Sequence, residues 1–170
     1  MKMTKKFKIF WNTESIIKLL WVEAYFYLAF ARVLKLLPFS KISPSLGTYM
    51  EETSHSPNDT DRKILSKVSN AVEMMSKYTF WESQCLVKAI SAMKMLKRRN
   101  IESTLYLGMG KDDNGKLAAH AWLRSGPYFI TGSQGKEKFT VVGMFAGFLS
   151  NLSNEGEKCA NKAKRFPIIK

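Results

Sequence analysis

Two residues stand out for the chemistry they could do together. Cys85 follows Trp81-Glu82-Ser83-Gln84 and is followed by Leu86 at the opening of a helical pattern, while His120 lies within the strand-like run Ala119-His120-Ala121-Trp122. A thiol and an imidazole are the components of a nucleophile and general base pair for acyl transfer, in which imidazole takes the thiol proton and later protonates the leaving amine. If Ser83 caps the helix, Cys85 falls in its first turn. Unpaired backbone N–H groups and the helix dipole favour a thiolate there. The same N–H groups could hold an oxyanion, with the Gln84 amide and the Trp81 indole as further donors. A lone cysteine is as often a small buried hydrophobe, so the histidine decides the argument. In the alternating strand, Ala118, His120, Trp122 and Arg124 share one face, and Leu117, Ala119, Ala121 and Leu123 share the other.

The elements that must position this pair follow from periodicity. Ile16, Ile17, Leu20, Ala24, Tyr27, Leu28, Ala31, Leu34 and Leu37 recur at helical spacing from Glu14 until Pro38 ends the pattern. This predicts one long amphipathic helix, packed on the rest of the chain or serving as a docking surface for a partner or membrane. Phe39 to Gly47 reads as a loop, and Glu51 to Asp59 as an exposed polar connection in which His55 is a solvated bystander. A second helix is predicted over Asp61–Tyr78, with Asp59 or Thr60 as its cap, and a third from Ser83 or Gln84 to Asn100. From Ile101 the rhythm alternates. Strands are expected around Leu105–Met109, over Leu117–Arg124, over Tyr128–Thr131 and over Phe139–Phe145, with Asp113-Asn114-Gly115 as a turn. Helices followed by an antiparallel sheet make an α+β fold. Residues 1–58 are read as an N-terminal helix and linker, 59–147 as the core and 148–170 as a basic tail in which Cys159 is incidental.

The net charge of +13 on 170 residues predicts attraction to something acidic. The lysines are scattered and no zinc-finger, RNA-binding or helix-turn-helix pattern is present, so nucleic acid is not the expected partner. Two cysteines without metal-type spacing suggest reduced thiols, a cytoplasmic setting, and no metal or cofactor. The basic start followed by apolar residues imitates a secretory signal, but Glu14, Lys18 and Glu23 interrupt it. The same charges, with Arg32 and Lys35, leave no stretch of about 18 apolar residues to span a bilayer, so only peripheral membrane contact is open to this helix.

Trp81-Glu82-Ser83-Gln84-Cys85-Leu86, Leu96-Lys97-Arg98-Arg99-Asn100-Ile101, Leu105-Tyr106-Leu107-Gly108 and Ala119-His120-Ala121-Trp122, with the upstream Glu23-Ala24, Ala31-Arg32 and Leu37-Pro38-Phe39, resemble the transglutaminase-like cysteine proteases that mature lasso peptides. The resemblance implies a transglutaminase- or papain-like core. It further implies hydrolysis of one bond in a ribosomally made precursor, with Cys85 as nucleophile and His120 as base, so that an asparagine synthetase-like cyclase can close the freed core peptide. The chain has no room for a fused leader-recognition domain beyond its N-terminal helix, which implies a separate leader-binding protein docking near that helix.

One departure matters. The family's acid is expected on the strand after the histidine, where this chain reads Phe129-Ile130-Thr131-Gly132-Ser133-Gln134 without a carboxylate. A tight turn around Gly126 would put Thr131, Gly132 or Ser133 opposite His120, and the Thr131 hydroxyl is the expected orienting group, with the Gln134 amide as a substitute. Asp112 and Asp113 lie at the wrong end of the strand. Trp122, beside the histidine, is a candidate substrate contact. Transfer of the acyl group to an amine, or a non-catalytic basic module holding an acidic peptide or membrane, are the competing functions.

Overall fold

The computed structural model describes residues 15–56, 59–111 and 115–148. The side chains of the cap candidates Asp59 and Thr60, together with Asp112, Asp113 and Cys159, lie outside the described residues. Four helices and five strands follow in the order α1 (Ser15–Leu34), α2 (Phe39–Leu46), β1 (Thr48–Tyr49), α3 (Asp59–Ser76), α4 (Cys85–Lys97), β2 (Ser103–Lys111), β3 (Leu117–Ser125), β4 (Tyr128–Thr131) and β5 (Phe139–Gly147).

The strands form one antiparallel sheet ordered β1-β5-β2-β3-β4. Its alternation sorts the side chains onto two faces. Leu105, Ala121, Leu123 and Phe145 point toward the helices and share a core with Val87, Ile90 and Leu96 of α4 and Val68 and Val72 of α3. Burial of these aliphatic residues is the main stabilising term, at roughly 1.5–3 kcal/mol for each large side chain fully removed from water. The α+β expectation holds, with every strand the alternating pattern proposes present within two residues of its expected ends.

Helix α1 packs on α3 and α4 as an outer layer, burying Leu20, Ala24, Leu28 and Ala31 on one stripe. Its Glu23 carboxylate binds the Arg99 guanidinium just beyond the end of α4, with one contact at 3.0 Å, and Arg98 reaches the same carboxylate at 3.4 Å. The tie raises the affinity of the guanidinium for its proton through the Glu23 hydrogen bond, against the opposing effect of burial.

Two elements correct the sequence reading. The stretch expected as a loop forms α2, because Ile42 and Leu46, one helical turn apart, bury themselves in the core while Phe39 meets Phe145 edge-on at 5.9 Å. Pro44 lies inside this helix, so its stability comes from packing rather than propensity. The short strand β1 then pairs with β5 through Thr48 and Ala146 and forms the edge of the sheet.

Candidate active site

Helix α4 begins at Cys85. Gln84 is the extended residue before it and makes no capping bond through its side chain. Ser83, the expected cap, instead shares a hydrogen bond with the Thr79 hydroxyl at 2.9 Å. The first helical amide to find its acceptor is that of Lys88, on the Gln84 carbonyl at 3.1 Å. The amides of Cys85, Leu86 and Val87 therefore face outward from the helix end, where they can receive a developing negative charge. The Gln84 side chain is engaged on the surface, its amide nitrogen with Glu82 and its oxygen with Lys35 at 3.3 Å. Trp81 packs edge-on against Phe80 at 4.5 Å and near Tyr25 at 5.2 Å. Its indole Nε1 is buried and has no hydrogen-bond partner among the described residues.

Helix α4 leads by a short connection into β2 and packs back over β2, β3 and β4. Its N-terminal end consequently lies toward the end of the sheet where β3 begins, the end that carries His120. The two residues occupy different faces there. Cys85 is half-buried against the helix-side core, whereas the His120 ring stacks beside Trp122 at 5.8 Å and tilts against Phe139 at 5.0 Å on the opposite face. No hydrogen bond joins the thiol to the imidazole among the described residues.

The orientation of His120 is set by the backbone. Its Nε2 lies 2.9 Å from the carbonyl oxygen of Gly132. A carbonyl only accepts, so Nε2 carries the hydrogen and Nδ1 of the neutral ring keeps its lone pair. Nδ1 is the nitrogen left to act as base.

Two glycines make this arrangement fit. Gly132 has φ +68°, and a Cβ there would lie 2.4 Å from the Ala121 carbonyl oxygen. Gly108, paired with His120 across β2 and β3, leaves the space filled by Trp122 and Phe139, since a Cβ would come within 2.9 Å of both.

Thr131 does not perform the role expected of it. A register shift between Leu123 and Arg124 pairs Thr131 with Leu123, and its Oγ1 is buried without a hydrogen-bond partner among the described residues. The irregularity moves the chain by one position relative to simple alternation, which takes the hydroxyl away from His120 and brings in the next carbonyl. Trp122 is buried and stacks on Tyr106 at 5.6 Å and 11°, so it forms the wall behind the histidine rather than an open substrate contact.

A buried polar network continues along the same face. Arg124 is 3% exposed and donates from Nε to the Tyr106 hydroxyl at 2.8 Å, from Nη2 to the Thr53 carbonyl at 2.9 Å, and from Nη1 to the carbonyls of Ser54 at 3.2 Å and Gly126 at 2.7 Å. The Tyr106 hydroxyl in turn donates to Glu52 at 2.8 Å. This bond, helped by His55 and Arg124, holds the Glu52 carboxyl below its ordinary range. Burial, chiefly, pushes the Tyr106 phenol up. The segment between β1 and α3 is thereby strapped across the sheet behind the histidine, a role for Arg124 that sequence alone does not reveal.

The family model for the transglutaminase-like superfamily matches residues 24–144. The chain belongs to the transglutaminase-like superfamily. The match runs from Ala24 in the middle of α1 into the last strand and encloses both Cys85 and His120, so it takes in the C-terminal half of the N-terminal helix as well as the sheet. No curated protein matches the chain significantly, and no solved structure does. No described helix is long and apolar enough to cross a membrane. Nor do three metal-ligating side chains gather anywhere among the described residues.

Proposed function

We propose that this transglutaminase-like protein is a cysteine peptidase that removes the leader from a ribosomally made lasso peptide precursor. The observation that carries the chemistry is the Nε2–H bond from His120 to the Gly132 carbonyl, which leaves Nδ1 as a base at the end of the sheet toward which the Cys85 helix points. Membership of a superfamily of cysteine peptidases and acyltransferases supports the thiol mechanism. The Trp81–Leu86 and Ala119–Trp122 motifs support the narrower assignment.

In this mechanism Nδ1 takes the Cys85 thiol proton and Sγ attacks the scissile carbonyl carbon. The oxyanion is received by the outward amides of α4. The C–N bond then breaks, the imidazolium gives its proton to the leaving amine, and the core peptide departs with a free N-terminus. Water, deprotonated by the same imidazole, attacks the thioester and releases the leader as a carboxylate. Cys85 and His120 lie on different faces of the sheet, so this mechanism requires substrate binding to rearrange the sheet end and bring the thiol to Nδ1. A separate leader-binding protein delivers the precursor and an asparagine synthetase-like cyclase consumes the product.

The test is mass spectrometry of a leader-bearing lasso precursor incubated with its leader-binding protein and with wild type, Cys85→Ala or His120→Ala. Cleavage at one bond by wild type, with losses of about four orders of magnitude in the variants, is expected. Cleavage surviving Cys85→Ala sinks the mechanism. Incorporation of a labelled amine in place of water would reassign the protein to acyl transfer.

A further inference from the structure

Helix α1 is apolar on two sides. One stripe is buried in the core, and nearly opposite to it Leu19, Val22, Phe26, Phe30 and Val33 form a second stripe that faces outward. Leu19 is 71% and Phe26 69% exposed. At about 1.5 Å rise per residue the stripe runs roughly 21 Å along the helix. Contiguous apolar surface of this kind marks a contact with something apolar.

Charge selects the partner. One flank of the stripe carries Lys18, a turn before Val22. On the other flank an open groove of about 710 Å³, lined also by Glu23, separates Phe26 and Phe30 from Arg98 and Arg99. The two guanidiniums share the Glu23 carboxylate, which leaves a positive excess on this edge, and the Arg98 side chain is 67% exposed. The sequence immediately before the helix interleaves Lys5, Lys6 and Lys8 with Phe7, Ile9, Phe10 and Trp11. An apolar stripe with aromatic side chains, edged by cations, is the chemistry of a helix lying in the interface of an anionic bilayer. A second copy of the chain is disfavoured as the occupant, because each copy carries a net +13.

We infer that the outer face of α1 seats the protein on anionic phospholipid, with Phe26 and Phe30 in the acyl boundary and Arg98 toward the headgroup phosphates. This goes beyond the peptidase assignment and does not depend on it. Lying flat, the helix exposes its core-facing side only to the protein, so binding leaves the fold unchanged.

The test is sedimentation of the full chain with vesicles of phosphatidylcholine alone and of phosphatidylcholine mixed with phosphatidylglycerol. Binding to the mixed vesicles only, weakening as salt rises, is expected. Phe26→Ser combined with Phe30→Ser lowers the partition by at least about ten-fold, and Arg98→Gln by about five-fold, with circular dichroism unchanged. Should the double substitution unfold the chain, Leu19→Gln probes the same face. Failure of the wild type to bind anionic vesicles overturns the inference, as does binding that these substitutions leave intact. A wild-type dimer dispersed by the same changes assigns the stripe to a second copy instead, and protection of it by an acidic protein partner assigns it to that partner.

Discussion

The Nε2 of His120 lies 2.9 Å from the carbonyl oxygen of Gly132, the residue that follows β4. A fixed backbone dipole, and not a carboxylate side chain, therefore faces the ring. It selects the same tautomer, but offers an imidazolium only a partial charge rather than a full one.

Substitution separates the carbonyl from its neighbouring hydroxyl. Gly132→Ala forces a Cβ against the Ala121 carbonyl at positive φ, which displaces the acceptor. Peptide cleavage should fall by roughly 10- to 100-fold, and the nitrogen chemical shifts of His120 should lose the pattern of a single Nε2–H tautomer. Thr131→Val should leave cleavage within about two-fold and stability unchanged or slightly improved, since it removes a buried oxygen that makes no bond in the described structure. The opposite ranking in kinetics of the two variants would restore the hydroxyl as the orienting group.

Arg124 is the centre of the strap behind the histidine. Arg124→Leu leaves the Tyr106 hydroxyl and the carbonyls of Thr53, Ser54 and Gly126 without their donor. The expected loss is about 3–5 kcal/mol in urea unfolding, with faster amide exchange near Thr53. A loss below about 1 kcal/mol would show that the network merely fills space.

The strap should also be sensitive to acid. Glu52 is held below its ordinary value of 4.5, first by the Tyr106 hydroxyl and then by His55 and Arg124. A carboxyl lowered in the folded state contributes stability that is complete above its unfolded value. That contribution disappears as pH falls through the lower folded value. The melting temperature of wild type should therefore drop on acidification below about pH 4.5, and Glu52→Gln should show a shallower drop over the same window. Parallel curves for the two proteins would remove Glu52 from the account.

Glu23 tests whether α1 is an integral layer. Its carboxylate is only 9% exposed and is held by Arg99 and Arg98. Glu23→Gln should cost about 1–3 kcal/mol and raise hydrogen exchange along α1 and the end of α4 together. Exchange confined to α1 would mean that the helix detaches on its own.

Much of this protein is legible in its one-dimensional pattern because periodicity and side-chain chemistry are local. The long helices, the four main strands and the candidacy of Cys85 and His120 follow from spacings of a few residues, and the superfamily match encloses the same two positions. Tertiary structure decided what depends on packing and register. Helix α2 forms around Pro44 only because Ile42 and Leu46 have a core to enter. The orienting acceptor is a main-chain carbonyl, which every residue possesses and no side-chain motif can mark; a single register shift beside Leu123 replaced the Thr131 hydroxyl with it. Arg124, which reads in sequence as the polar end of a strand, became buried because carbonyls distant along the chain converge on its guanidinium. The outward stripe of α1 belongs to the same class: its residues are as apolar as those facing the core, and only the fold determines which set is left in water.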